Sequence, residues 1–273
     1  MIRLTMETDP RAELLACIAD PEADVATGAL WLAAEDCDDV DVDASLALLA
    51  DVADELRTRI DGKGGVTVVP LLAAVLRDRL GLRGAGGGDP RAHYLHSVLA
   101  RGAGVPLTCS VIWMAVGNRA GAHVEGVGLP GHFVVRVENA LVDPFAGGEL
   151  LDDAGVRRIV GKVLGTDTDE VRLDPHWLAA TSTREIVARM SRNLRRCYVS
   201  QQNWMLALRA ADRCVELLPD RAVELRDRGL LRWRAGLNGS AADDLRAYLE
   251  DDPNASDRES IEEVLGRLRA ASN

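Results

Sequence analysis

Residues 124–145 read VEGVGLPGHFVVRVENALVDPF, the one part of the chain that reads as a sheet. Val124 to Val127, His132 to Val137 and Ala140 to Val142 are short runs rich in β-branched residues, bounded by glycine, proline and asparagine. Glu138-Asn139 predicts a two-residue hairpin turn between the second and third runs. With that turn Val137 faces Ala140 and Asp143 faces Val134. His132 and Asp143 then become diagonal neighbours on one sheet face, within reach of each other's side chains.

Just before this stretch, Pro106 to Ala120 reads as one buried helix that ends ahead of Gly121. It is opened by Gly104-Val105-Pro106-Leu107-Thr108-Cys109-Ser110. A thiol at a helix N-terminus is acidified by exposed N–H groups and the helix dipole. A histidine on a neighbouring strand can take its proton, and an aspartate can orient that histidine. Cys109, His132 and Asp143 are therefore the candidate catalytic residues. Ser110 is a weaker nucleophile candidate and serves equally well as a cap. Plainer readings stay open. Cys109 also suits a small buried side chain among Leu107, Ile112 and Trp113, His132 a structural turn, and Asp143 the start of a turn before Pro144.

Upstream the pattern is helical. Leu14, Leu15 and Ile18, then Leu30, Trp31 and Ala34, then Leu46, Leu49, Val52 and Leu56 recur every three or four residues. Breaks fall at Asp20-Pro21, at the acidic stretch from Glu35 to Asp43, and at Gly62, Gly64 and Gly65. Val69 to Leu80 predicts another helix. After the glycine-rich loop from Gly84 to Gly88, Asp89-Pro90 reads as an N-cap and first-turn proline, opening a helix with Tyr94, Leu95, Val98 and Leu99. His93 and His96 have His-x-x-His spacing on it. With no third ligand nearby in sequence, they read as a solvated face and no metal is expected.

Beyond Thr181 the helical period returns with a repeat. Pro219 and Pro253 lie 34 residues apart in related contexts, as do Ala207 and Ala241. Thirty-four is the tetratricopeptide period. Two units are too few for an independent solenoid, so two helical hairpins packed on the central domain are expected. Trp204 and Trp233 read as repeat-packing residues, and Arg226 and Arg228 beside Asp227 as surface ion pairs. The fold class is α+β: residues 1–180 form a mainly helical domain around a small antiparallel sheet, and residues 181–273 a helical repeat.

Composition narrows the function. A 273-residue chain with 47% hydrophobic and only 4% aromatic residues builds its core from Leu, Val and Ala, which favours helices. The net charge of -11 would repel a phosphate backbone, so nucleic acid is excluded as a first reading. Five cysteines (Cys17, Cys37, Cys109, Cys197 and Cys214) without CxxC spacing suggest reduced thiols and a cytoplasmic location. Met1 to Pro10 lacks the apolar stretch of a signal peptide. The apolar run from Val105 to Val116 is too short to span a bilayer.

Taken together the chain resembles the bacterial transglutaminase-like proteins of the SirB type. The resemblance rests on Asp89-Pro90-Arg91 through Leu95, Gly104-Val105-Pro106, Gly126 through Phe133, Asp143-Pro144-Phe145 with Gly147-Gly148, and Arg189-Met190 with Asn193-Leu194. Arg226 through Gly229 and Asp244-Leu245 continue it into the tail. It implies a transglutaminase-like core with a tetratricopeptide-like tail and supports His132 and Asp143 as the retained pair. In active relatives of this fold the nucleophilic cysteine follows a Gly-Val-type dipeptide, and that slot holds Pro106. The SirB-type proteins carry proline there too. Cys109 lies three residues on, roughly 5 Å along the helix axis. Two functions follow as expectations. One is a degenerate domain that binds a peptide or small ligand in the central cleft, with the tail recruiting a protein partner and no cofactor. The other is a thiol hydrolase or acyltransferase that uses Cys109, His132 and Asp143.

Overall fold

The computed structural model describes residues 8–20, 23–61 and 67–271. The sequence breaks at Pro21 and at Gly62, Gly64 and Gly65, and most of the Met1–Pro10 segment, lie outside the described residues. Contacts divide the chain into two compact units, Met1–Met190 and Ser191–Asn273. No helix among the described residues is long and apolar enough to cross a membrane.

In the first unit, aspartates start the early helices. Asp9, Asp24 and Asp41 cap α1 (Pro10–Ala19), α2 (Val25–Asp36) and α3 (Val42–Ile60), each accepting a backbone N–H of the first turn. The acidic breaks in the sequence are thus partly helix starts. α4 (Val68–Leu80) ends on Gly81 at φ +60, a left-handed cap that glycine adopts without a Cβ penalty. The helix expected at Asp89-Pro90 is split. Asp89 caps a single 3-10 turn, Pro90–Ala92, and α5 (Leu95–Arg101) begins only after Tyr94.

At the centre lies α6 (Pro106–Arg119), in which every residue from Leu107 to Gly117 is buried. A helix that is apolar all round has to be enclosed, and α2, α3, α4, α5 and the sheet pack around it. Gly117 permits the close approach of the sheet, because a Cβ there would stand 2.5 Å from Val124 Cγ2.

The sheet is an antiparallel meander of β3 (Val124–Val127), β4 (Val134–Val137), β5 (Ala140–Asp143) and β6 (Glu149–Leu151), in that spatial order. Val137 pairs with Ala140, the register set by the Glu138-Asn139 turn. Glu138 takes φ +54, and it is held there on both sides. Its N–H donates to His123 O at 2.8 Å and its carboxylate accepts His123 N at 3.0 Å. The outer edge of β3 is met by an isolated bridge from Val127 to Ala180 and by Thr181 N donating to Gly126 O. A parallel pair, β1 (Arg83–Gly84) with β2 (Ala103–Gly104), precedes α6. α7 (Asp153–Leu164) follows the sheet and α8 (Thr183–Ser200) runs on past Met190.

The second unit contains α9 (Trp204–Leu217), α10 (Ala222–Arg234), α11 (Asn238–Asp251) and α12 (Arg258–Ala271). Pro219 lies between α9 and α10 and Pro253 between α11 and α12, so the 34-residue echo marks equivalent turns. Ala207 and Ala241 are fully buried, and a Cβ on Gly229 would meet Leu245 at 2.9 Å. Small residues let these helices approach closely. Trp233 packs against the cluster of Leu245, Tyr248 and Ile261, while Arg234 lies over the Trp204 ring at 5.5 Å. The surface reading of Arg226 and Arg228 holds for the Arg226–Asp227 pair, at 2.7 Å, and is otherwise corrected. Arg228 of α10 holds Asp244 of α11, which is 5% exposed, at 2.7 Å, and Arg226 reaches Asp257, in the turn just before α12, at 3.0 Å.

Candidate functional site

The site begins with a turn. Leu129-Pro130-Gly131-His132 has proline at its second position and glycine, at φ +64, at its third, the pattern of a type II turn. His132 N donates to Leu129 O at 3.3 Å. Arg189 on α8 fixes the same turn from outside. Its guanidinium donates to Leu129 O at 2.8 Å and His132 O at 2.6 Å, and lies 5.2 Å over the Phe133 ring. On the other side Val163 of α7 fills the place that a Cβ on Gly131 would take.

This turn aims His132 at the end of β5, where its Nε2 lies 2.9 Å from Asp143 Oδ2. Asp143 is itself fixed. It is 5% exposed, and its Oδ1 accepts the backbone N–H of Phe145 at 2.9 Å and of Ala146 at 3.4 Å. The Phe145 ring stands edge-on to the imidazole, 6.0 Å between centroids. Gly84 leaves room for that ring, since a Cβ there would be 2.7 Å from it. With Nε2–H donated to Asp143, the Nδ1 lone pair is the imidazole's remaining polar function.

His132 and Asp143 border a cavity of about 500 Å³ whose walls include Phe145, Leu151, Ile159 and Val163. Arg158 and Lys162 of α7 add positive charge, and Arg158 also pairs with Glu149 at 2.9 Å. Asp152 caps α7 by accepting Gly155 N at 2.8 Å and so steadies this wall.

Cys109 is placed differently. It lies in the first turn of α6 but is fully buried, and its thiol donates to Gly104 O at 3.4 Å and, more weakly, to Arg83 O at 3.8 Å. Neither bond involves His132. Burial pushes the thiol up to about 12, and the Asp143 charge adds to the rise. The acidifying pull expected of a helix N-terminus is outweighed by desolvation. Pro106 opens the helix as its first residue. Ser110 is fully buried and donates to Phe133 O at 3.3 Å, a tie from α6 to the strand that follows the turn.

His93 and His96 are not on a solvated face. His93 is 6% exposed with Nε2 2.9 Å from Gly87 O, and the His96 side chain is 14% exposed. Sequence reasoning gave Arg189 and Phe145 no role. Each acts on a segment distant in the chain, and no local spacing signals that.

The family model described as the transglutaminase-like superfamily matches residues 43–192, and a tetratricopeptide-repeat model matches residues 194–266. A UPF0162 protein of Xylella fastidiosa (strain 9a5c) is 33% identical over 269 residues, covering 95% of this chain and 94% of its own. A UPF0162 protein of Pseudomonas aeruginosa is 30% identical over 95% of this chain and 96% of its own. Protein SirB1 of Salmonella typhimurium is 24% identical over 189 residues, 65% of this chain and 66% of its own.

Proposed function

Because the chain belongs to the transglutaminase-like superfamily, we propose that it is a non-catalytic member: a binding module that receives a peptide or small ligand at the His132–Asp143 cleft and recruits a protein partner through its repeat tail. One observation carries the reading. The thiol nearest the family's nucleophile slot is buried, bonded to backbone carbonyls and pushed up to about 12. At neutral pH about one molecule in 10⁵ would hold the thiolate, and the thiolate is the nucleophile.

The cleft retains what a binding site needs. Its apolar walls suit an aliphatic or aromatic group, and an oriented imidazole gives one directional hydrogen bond. Tetratricopeptide repeats generally mediate protein–protein contact, which supports the tail as the recruiting surface. The five cysteines stand outside any disulfide, which supports a reducing, cytoplasmic location.

The test is iodoacetamide labelling of the native protein, read cysteine by cysteine by mass spectrometry. Cys109 is expected to label only after denaturation, and His132→Ala to leave its rate unchanged. Rapid native labelling of Cys109 at neutral pH, slowed by His132→Ala, would replace this reading with the thiol hydrolase or acyltransferase.

A further inference from the structure

We propose that Cys37, Asp39 and His96 form a zinc site, far from the His132 cleft in sequence, with thiolate, carboxylate and imidazole ligands and an open fourth position. The sulfur of Cys37, a carboxylate oxygen of Asp39 and a ring nitrogen of His96 all lie within 4.8 Å of one another. Two elements bring them together. Cys37 is the C-cap of α2 and Asp39 follows in the turn, while His96 is the second residue of α5. Tyr94 OH donates to Asp36 Oδ2 at 2.8 Å, which ties the start of α5 to the end of α2 beside the three ligands.

The imidazole is the second observation. His96 Nδ1 is buried with no hydrogen-bond partner, and the contact from Nε2 to Asp39 Oδ1, at 3.8 Å, is too long for a hydrogen bond. The ring is 14% exposed, and Nε2, the nitrogen that faces Asp39, is committed to no hydrogen bond that would compete with a metal.

The donor set selects the ion. Sulfur, nitrogen and oxygen together suit zinc, whereas magnesium and calcium take oxygen ligands. Tetrahedral bonds of about 2.0–2.3 Å need donors roughly 3.3–3.7 Å apart. The set must contract by about 1 Å, and the Asp39 side chain, 85% exposed, has the freedom to swing inward. On binding, the Cys37 S–H bond breaks, the proton leaves to solvent and a sulfur–zinc bond forms. Thiolate and carboxylate then neutralise the dication, and the negative end of the α2 dipole favours a cation at this place. The sequence reading expected no metal here because it looked for a third ligand close to His93 and His96 in the chain. His93 is engaged with Gly87, and the further donors come from the turn after α2.

The experiment is a Co²⁺ titration of the reduced, chelator-treated full-length protein, followed by absorption. The expected result is a thiolate-to-cobalt charge-transfer band that saturates at one equivalent, is bleached by Zn²⁺ and is absent in Cys37→Ser. Asp39→Asn alters an exposed side chain, so it should keep the wild-type circular dichroism while weakening Co²⁺ binding at least about tenfold. A wild type without the band overturns the proposal. So does a band that survives Cys37→Ser, or an affinity untouched by Asp39→Asn.

Discussion

Around α6, helices meet through Ile112, Trp113 and Val116, and from Leu107 to Gly117 there is no charged side chain. In the repeat tail, helices meet through Leu245 and Tyr248 but also through buried charge. Glu224 is 1% exposed and bridges Arg192 and Arg195, Asp244 bridges Arg228 and Arg232, and Arg213 is fully buried. Both interiors are driven by apolar burial. In the tail, guanidinium–carboxylate pairs additionally fix which helix meets which, so part of its stability depends on ionisation. A buried pair adds little net stability over an apolar pair, but removing one partner is costly.

The largest expected effect lies in the core unit. Trp113→Ala should cost about 3–5 kcal/mol through lost burial and the cavity left behind, with little dependence on salt. Denaturant unfolding with hydrogen exchange at the α6 amides would measure it. The next is Glu224→Ala, which leaves two guanidiniums without their shared carboxylate and should destabilise the tail by roughly 3 kcal/mol. A cost under about 1 kcal/mol would put Glu224 on a par with an exposed ion pair and end the contrast between the two interiors.

Acid should sharpen the same contrast. Burial alone would raise the Glu224 carboxyl, but Arg195 and Arg192 outweigh it and hold it below its ordinary value near 4.5. The unfolded chain therefore takes up the proton first. The stabilising contribution is complete above about pH 4.5 and is lost as pH falls through the lowered folded value. Protection of the α9–α11 amides should fade in that window before that of α6; the reverse order would contradict the assignment. The smallest effect is Asp152→Ala. Loss of the α7 cap should cost about 1 kcal/mol, seen as faster exchange in the first turn of α7 with α6 unaffected.

What was legible in the sequence was local. The Glu138-Asn139 turn fixed the β4–β5 register and with it the meeting of His132 and Asp143, because a strand alternates faces with a period of two. The proline echo located the tail hairpins. β6 escaped notice because three residues after Gly147-Gly148 carry no alternation, and β1 and β2 because two-residue strands have no pattern at all. The helix expected from Asp89-Pro90 failed because its first turn tightened to 3-10 form and the chain re-extended at Tyr94. The pairings of Arg189 with Leu129 and His132, and of Arg228 with Asp244, join segments 16 to 60 residues apart. Only the fold brings them together. Cys109 shows the remaining limit. Its position at a helix start argued for acidity and its apolar neighbours Leu107, Ile112 and Trp113 for burial, and only the fold shows that desolvation wins.

The small sheet also bears on how the protein avoids recruiting copies of itself. An open sheet offers unpaired N–H and C=O groups at both margins, and another chain can continue it there toward a fibre. On one side the bond from Thr181 to Gly126 and the bridge at Ala180 occupy β3 just where it would offer those groups. On the other, β6 stops after three residues and gives way at once to a capped helix, so an incoming strand would find almost no template. Cutting the chain between Leu178 and Thr181 would uncover the longer margin, and the cost would appear as aggregation rather than as a lost contact.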